Sequence, residues 1–250
     1  MDERRRHYLE AMGIDLWVSR GVSVATLDTA PAPSPPLTKG GEEGFSKRTE
    51  PSRSETPAAP TCDGGIASLD WPALQQRVAA CTACDLHKTR TQTVFGVGKR
   101  DADWMIIGEA PGAEEDRQGE PFVGRAGQLL NAMLKAIGLA REQVFIANVL
   151  KCRPPNNRDP QPHEAARCEP FLLRQVELVN PKVILAVGRI SAQHLLNSTA
   201  PVGRLRGRVH SFGDQGIPLV VTYHPAYLLR SPAEKRRAWD DLLLARSVLG

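Results

Sequence analysis

From about residue 67 onward, short apolar runs alternate with stretches of helical spacing, and this alternation limits the folds open to the chain. The runs are Trp104-Met105-Ile106-Ile107, Val144-Phe145-Ile146-Ala147-Asn148-Val149, Val183 to Val187, and Leu219-Val220-Val221-Thr222. Between and around them, Trp71 to Cys81, Gly127 to Ile137, Glu164 to Val179, Ser191 to Leu196 and Ala233 to Leu249 carry helical patterns. A strand that is apolar along its whole length is covered on both faces. Strands alternating with helices therefore predict a largely parallel sheet with helices on each side. Such sheets place their binding site at the carboxyl ends of the strands.

Composition narrows the class. With 250 residues, 41% hydrophobic and 24% charged, the chain is neither a fibre nor a disulfide knot. No stretch approaches the roughly 20 apolar residues of a membrane helix, so no membrane association is expected. The start, Met1-Asp2-Glu3-Arg4-Arg5-Arg6, is charged and no apolar signal core follows, which predicts a cytoplasmic protein. Residues 201–250 hold 8 Lys/Arg against 4 Asp/Glu, so the net charge of +4 resides there. A polyanion such as nucleic acid fits that excess, as does a plain solvated surface.

The first part of the chain reads differently. Tyr8, Leu9, Met12, Leu16 and Trp17 fall near one helical face, which predicts a helical extension over 1–24. Residues 31–60 contain 7 Pro and 3 Gly, and Leu37 and Phe45 are the large apolar residues there. That composition predicts a disordered linker over 25–66, since too little surface is available to offset the entropy of ordering. A weaker reading makes residues 1–60 a tether to repair or replication machinery.

Polar residues stand at the predicted strand ends. Gly108-Glu109-Ala110-Pro111-Gly112 follows the first strand, Asn148 ends the second and His224 follows the last. The glycine loop lacks the Lys-Ser/Thr of a P-loop and the spacing of a dinucleotide site, and its glycines suit close approach of a flat ligand. Phe122, between Pro121 and Val123-Gly124, is a stacking candidate, although alone it reads more readily as a core residue closing the loop. Cys81-Thr82-Ala83-Cys84, with Cys152 and Cys168, offers four thiolates from two distant segments. In a reducing compartment they suit tetrahedral zinc or an iron–sulfur cluster, and spacing alone does not separate these.

Taken together, Gly108 to Gly112, Pro121-Phe122-Val123-Gly124-Arg125-Ala126-Gly127, Asn148 ahead of Cys152-Arg153-Pro154-Pro155, and His224-Pro225-Ala226-Tyr227-Leu228-Leu229-Arg230 resemble the family 4 uracil-DNA glycosylases. The resemblance covers roughly residues 70–250, sets a catalytic domain over 67–250, and implies a three-layer α/β/α sandwich carrying a [4Fe-4S] cluster on Cys81, Cys84, Cys152 and Cys168. It implies a monomer that acts on uracil-containing DNA, flips the base out and hydrolyses its N-glycosidic bond. Uracil binding falls to Gly108, Glu109, Ala110, Phe122, Asn148 and His224, with Glu109, Asn148 and His224 catalytic. Glu115 is a further candidate for the sugar or the water, and Arg153 and Arg230 for DNA. Related glycosylase families carry Asp or Asn where this chain has Ala110, which leaves no direct base for water. The chemistry agrees: an Asn amide complements uracil N3–H and O4, and a donor at O2 stabilises charge that develops as the bond breaks. The competing class is a non-catalytic, zinc-dependent nucleic-acid-binding module.

Overall fold

The computed structural model describes residues 65–249. The expected helical extension over 1–24, the linker up to residue 64 and Cys62 lie outside the described residues. At the start of the described chain Ile66 is buried with Leu74, Val78, Phe95 and Phe171.

Six strands form one mixed sheet: β1 (Val97–Gly98), β2 (Trp104–Gly108), β3 (Phe145–Asn148), β4 (Val183–Val187), β5 (Val209–Phe212) and β6 (Ile217–Thr222). Their order is β1-β3-β2-β4-β6-β5. The four central strands are parallel, and the two outer strands pair antiparallel. The expectation of a mainly parallel sheet thus holds for the centre. At one edge β5 reaches β6 through a short turn, and such hairpin pairing needs no crossover helix; at the other, β1 pairs antiparallel with β3, from which β2 separates it in sequence.

Eight α-helices accompany the sheet among the described residues: α1 (Trp71–Ala79), α2 (Ala113–Gln118), α3 (Arg125–Ala136), α4 (Pro162–Val179), α5 (Arg189–Leu195), α6 (Val202–Leu205), α7 (Pro225–Arg230) and α8 (Lys235–Ser247). Asp70 caps α1 by accepting from the Ala73 amide at 2.9 Å, with Pro72 pre-set for the first turn. Asn180, in the left-handed region at φ 47°, terminates α4.

Side-chain alternation sorts each strand onto two cores. Ile106, Ile146, Leu185 and Val220 meet Leu130, Met133 and Leu134 of α3 and Trp239 and Leu242 of α8. Met105, Ile107, Ala147, Ile184, Ala186 and Val221 meet Leu172 and Val176 of α4, Ala192 and Leu195 of α5 and Leu205 of α6. Helices therefore cover both faces, which is why the central strands read as unbroken apolar runs. Gly108 lies level with Asn148, and Val187 level with Thr222. The parallel strands thus end along one rim.

Candidate functional site

That rim opens into a cleft of about 730 Å³. Its walls include Glu109, Ala110, Glu115, Phe122, Asn148, His224 and Arg230. Residues expected from three separate strand ends are therefore brought together. Gly108 lies directly behind them: a Cβ there would stand 2.4 Å from Asn148 Oδ1 and 2.7 Å from Phe122 Cζ. Only a residue without a side chain leaves room for amide and ring to meet.

Asn148 is buried at the end of β3. Its backbone carbonyl accepts from Lys151 Nζ at 2.8 Å, and Lys151 also donates to Gln175 Oε1 at 2.6 Å. Burial pushes the Lys151 ammonium down to about 8, opposed by the Cys168 and Cys152 sulfurs. The next residues extend the pairing, with Val149 and Leu150 amides donating to the Gly108 and Glu109 carbonyls, each at 3.0 Å.

Phe122 is buried with φ 54°, a left-handed backbone that costs a non-glycine residue about 1–2 kcal/mol. The loop is held from several sides. Glu115 Oε1 accepts from the Val123 and Gly124 amides at 3.1 and 3.4 Å, and Arg141 Nη2 donates to the Pro121 carbonyl at 2.6 Å. Gly127 fits beneath, since a Cβ there would fall 1.7 Å from the Phe122 carbonyl oxygen. Glu115 lines the cleft as expected, but one of its oxygens is committed to this bracing.

His224 follows β6 by two residues and caps α7. Its Nδ1 accepts from the Ala226 amide at 3.1 Å. With Nδ1 accepting, the neutral ring carries its proton on Nε2. Burial holds the imidazole down at about 4, the Arg230 cation adds to this, and Glu115 opposes it. The ring lies 5.5 Å from that of Phe122, with 28° between the planes. Gly188 (φ 96°) passes beneath, where a Cβ would stand 3.0 Å from His224 Cβ.

Burial raises Glu109 to about 7; Asp159 adds to the rise and Arg189 opposes it. Arg189, not singled out from sequence, joins Arg158 and Arg230 on the cleft walls. Arg158 forks onto Glu164 at 2.9 and 2.6 Å, while Arg189 pairs with Asp159. The sequence signal was the cluster of Arg and Asp after Pro154, which spacing alone does not aim at a site. Arg153 does not line the cleft; its Nε donates to Asn157 Oδ1 at 2.8 Å, and Asn157 does line it. Leu228 is buried in the core, whereas Tyr227 and Leu229 are exposed.

Cys81, Cys84, Cys152 and Cys168 line a second, smaller cavity together with Arg90, Lys151 and Phe171. All four are free thiols. Arg90 Nη1 donates to Cys152 Sγ at 3.1 Å, and the Lys151 amide to Cys168 Sγ at 3.3 Å. Burial raises the thiols of Cys84, Cys152 and Cys168, the last to about 12, so binding of a metal there must displace protons. Among the described residues no three Cys, His, Asp or Glu are gathered for a single metal ion. Four sulfurs around one cavity, with N–H donors beside two of them, are a donor set that suits an iron–sulfur group. Ala110 lines the cleft and also packs against the cluster of Leu86, Leu150 and Cys152.

The profile of the Uracil DNA glycosylase superfamily matches residues 95–243. The chain belongs to the uracil DNA glycosylase superfamily. Within that superfamily it is 47% identical over 172 residues to a Type-4 uracil-DNA glycosylase of Archaeoglobus fulgidus, covering 66% of this chain and 86% of the relative. The Type-4 enzymes of Thermotoga maritima and Pyrobaculum aerophilum are 44% and 42% identical, each match covering 70% of this chain and 93% of the relative. The residues matched by the superfamily profile include the whole cleft wall from Glu109 to Arg230.

Proposed function

We propose that this chain excises uracil from DNA by hydrolysing the N-glycosidic bond, leaving an abasic site. The observation that carries the reading is the convergence of the Asn148 amide, the Phe122 ring and the His224 imidazole on one cleft. The reading as a non-catalytic zinc module gains nothing from the cleft or the relatives.

A base stacked in a duplex hides its glycosidic bond, so the nucleotide must leave the helix before attack. Phe122 offers a face on which the extruded ring regains about 1–3 kcal/mol of stacking. The Asn148 amide pairs with uracil N3–H and O4, and Gly108 leaves it the space. Cytosine presents an acceptor at N3 and an amine at C4, so a fixed amide rejects it by leaving polar groups unpaired.

As the bond breaks, negative charge gathers on uracil O2 and positive charge on the sugar. His224, neutral with its proton on Nε2, donates to O2 and stabilises charge present only in the transition state. Glu109, as carboxylate, stabilises the cationic sugar and orients water. Glu115 braces the Phe122 loop through the Val123 and Gly124 amides. Arg158, Arg189 and Arg230 receive backbone phosphates.

Cys81, Cys84, Cys152 and Cys168 hold a [4Fe-4S] cluster, with Arg90 and the Lys151 amide behind the sulfurs. Hydrolysis needs no electron transfer, so the cluster supplies a structural tie between the segment before β1 and the segment after β3.

The test is uracil release from defined single- and double-stranded oligonucleotides, with iron and zinc measured in the same sample. Release is expected without added metal, and Asn148→Ala is expected to lose about 10²–10⁴-fold in kcat/KM. Full activity in that variant overturns the pocket.

A further inference from the structure

Lys151 is a charged group for which the reaction has no use. Its side chain is 2% exposed, and its Nζ is held by two neutral acceptors, the Asn148 carbonyl at 2.8 Å and Gln175 Oε1 at 2.6 Å. Gln175 is itself fixed, donating from Nε2 to the Phe95 carbonyl at 2.9 Å. No carboxylate among the described residues pairs with Lys151. Two neutral hydrogen bonds do not repay the removal of an ammonium from water, so a buried cation of this kind calls for a buried counter-charge. The groups beside it that can supply one are the sulfurs of Cys152 and Cys168, which share its cavity. Neutral thiols carry no such charge. Four thiolates around an oxidised [4Fe-4S] core carry a net charge of about −2.

We propose that Lys151 is the internal counter-cation of the four-cysteine site and the strut that ties this site to the uracil pocket through the Asn148 carbonyl. The proposal rests on the cluster reading and the uracil-excision reading given above. Lys151 is not among the residues that line the cleft, and it acts as a positioning residue. Its backbone amide meets Cys168 Sγ, it lines the cavity that the four sulfurs share, and its ammonium grips the last residue of β3.

The test uses the full chain, purified anaerobically with its iron, and compares Lys151→Met with Lys151→Arg. Two quantities are read: the midpoint potential of the cluster and kcat/KM for uracil release. Loss of a buried cation disfavours an added electron, so Lys151→Met is expected to shift the potential to more negative values, whereas Lys151→Arg keeps it near that of the parent. A side chain that only filled space would leave the potential unmoved. In Lys151→Met, kcat/KM is expected to fall about 10- to 100-fold, as for other groups that orient a site from behind. If Lys151→Met does not fold, Lys151→Gln, neutral but still an N–H donor, gives the same reading of the potential. An unmoved potential overturns the counter-cation, and a shifted potential with unchanged uracil release overturns the strut. A parent protein that carries iron but releases no uracil overturns the function instead, and the potential still decides the charge pairing. A parent protein without iron overturns the cluster and this proposal with it.

Discussion

A methyl group on Gly108 would press on both Asn148 Oδ1 and Phe122 Cζ, so the smallest possible substitution tests the pocket. Gly108→Ala is expected to lower kcat/KM about 10²-fold through misplacement of the amide, with a folded circular dichroism spectrum. Glu109 is expected to govern the pH response. Its carboxyl is raised to about 7, so uracil release is expected to fall as pH drops through 7, about tenfold per unit below it. Glu109→Gln removes that limb and leaves a low, flat profile. His224 stays neutral down to about 4 and sets no limb above it. For stability the signs oppose. The folded chain protonates Glu109 near 7 and the unfolded chain near 4.5, so the fold loses stability as pH rises through that window. The unfolded chain protonates His224 near 6.5, which the fold resists until about 4, so stability is lost as pH falls through that second window. Glu109→Gln is therefore expected to raise Tm by a few degrees at pH 8 while abolishing most activity. At this scale the sequence exposed Asn148, His224 and Phe122 because each stands at a strand end or in a glycine-flanked loop. The proton on His224 Nε2 was not legible, since it follows from a cap bond to Ala226.

Among the elements, the central strands were readable to within two residues at each end, because burial on both faces leaves unbroken apolar runs. The edge strands were not. β1 is two residues long and contains Gly98, and β5 alternates between exposed and buried positions beside glycine turns. The short helices α2, α6 and α7 also escaped notice, being too brief for periodicity to register. Helix α4 carries a testable join between fold and cleft. Glu164 accepts from the Gln161 amide at 2.8 Å, closing the first turn, and seats Arg158 on the cleft wall. Glu164→Ala is expected to cost about 1–2 kcal/mol through the lost cap, seen as a lower Tm. It is also expected to raise KM for DNA, because Arg158 loses its seat.

Over the whole molecule, charge and cysteine chemistry decide how the protein meets its substrate. Sequence placed the basic excess in residues 201–250, yet two of the three arginines on the cleft walls, Arg158 and Arg189, come from the electrically balanced part of the chain. Folding, not composition, assembles them. Binding of uracil-containing oligonucleotides is expected to weaken with salt, and Arg230→Gln to reduce the slope of log K against log salt by about 1. Removal of iron by chelation is expected to bleach the protein and lower its Tm, since it frees the Cys81–Cys84 segment from Cys152 and Cys168. Ala110 imposes a last constraint. This one methyl-bearing residue belongs at once to the cleft wall and to the packing around Cys152. A bulkier occupant is therefore expected to press on the cleft, on the seat of Cys152, or on both.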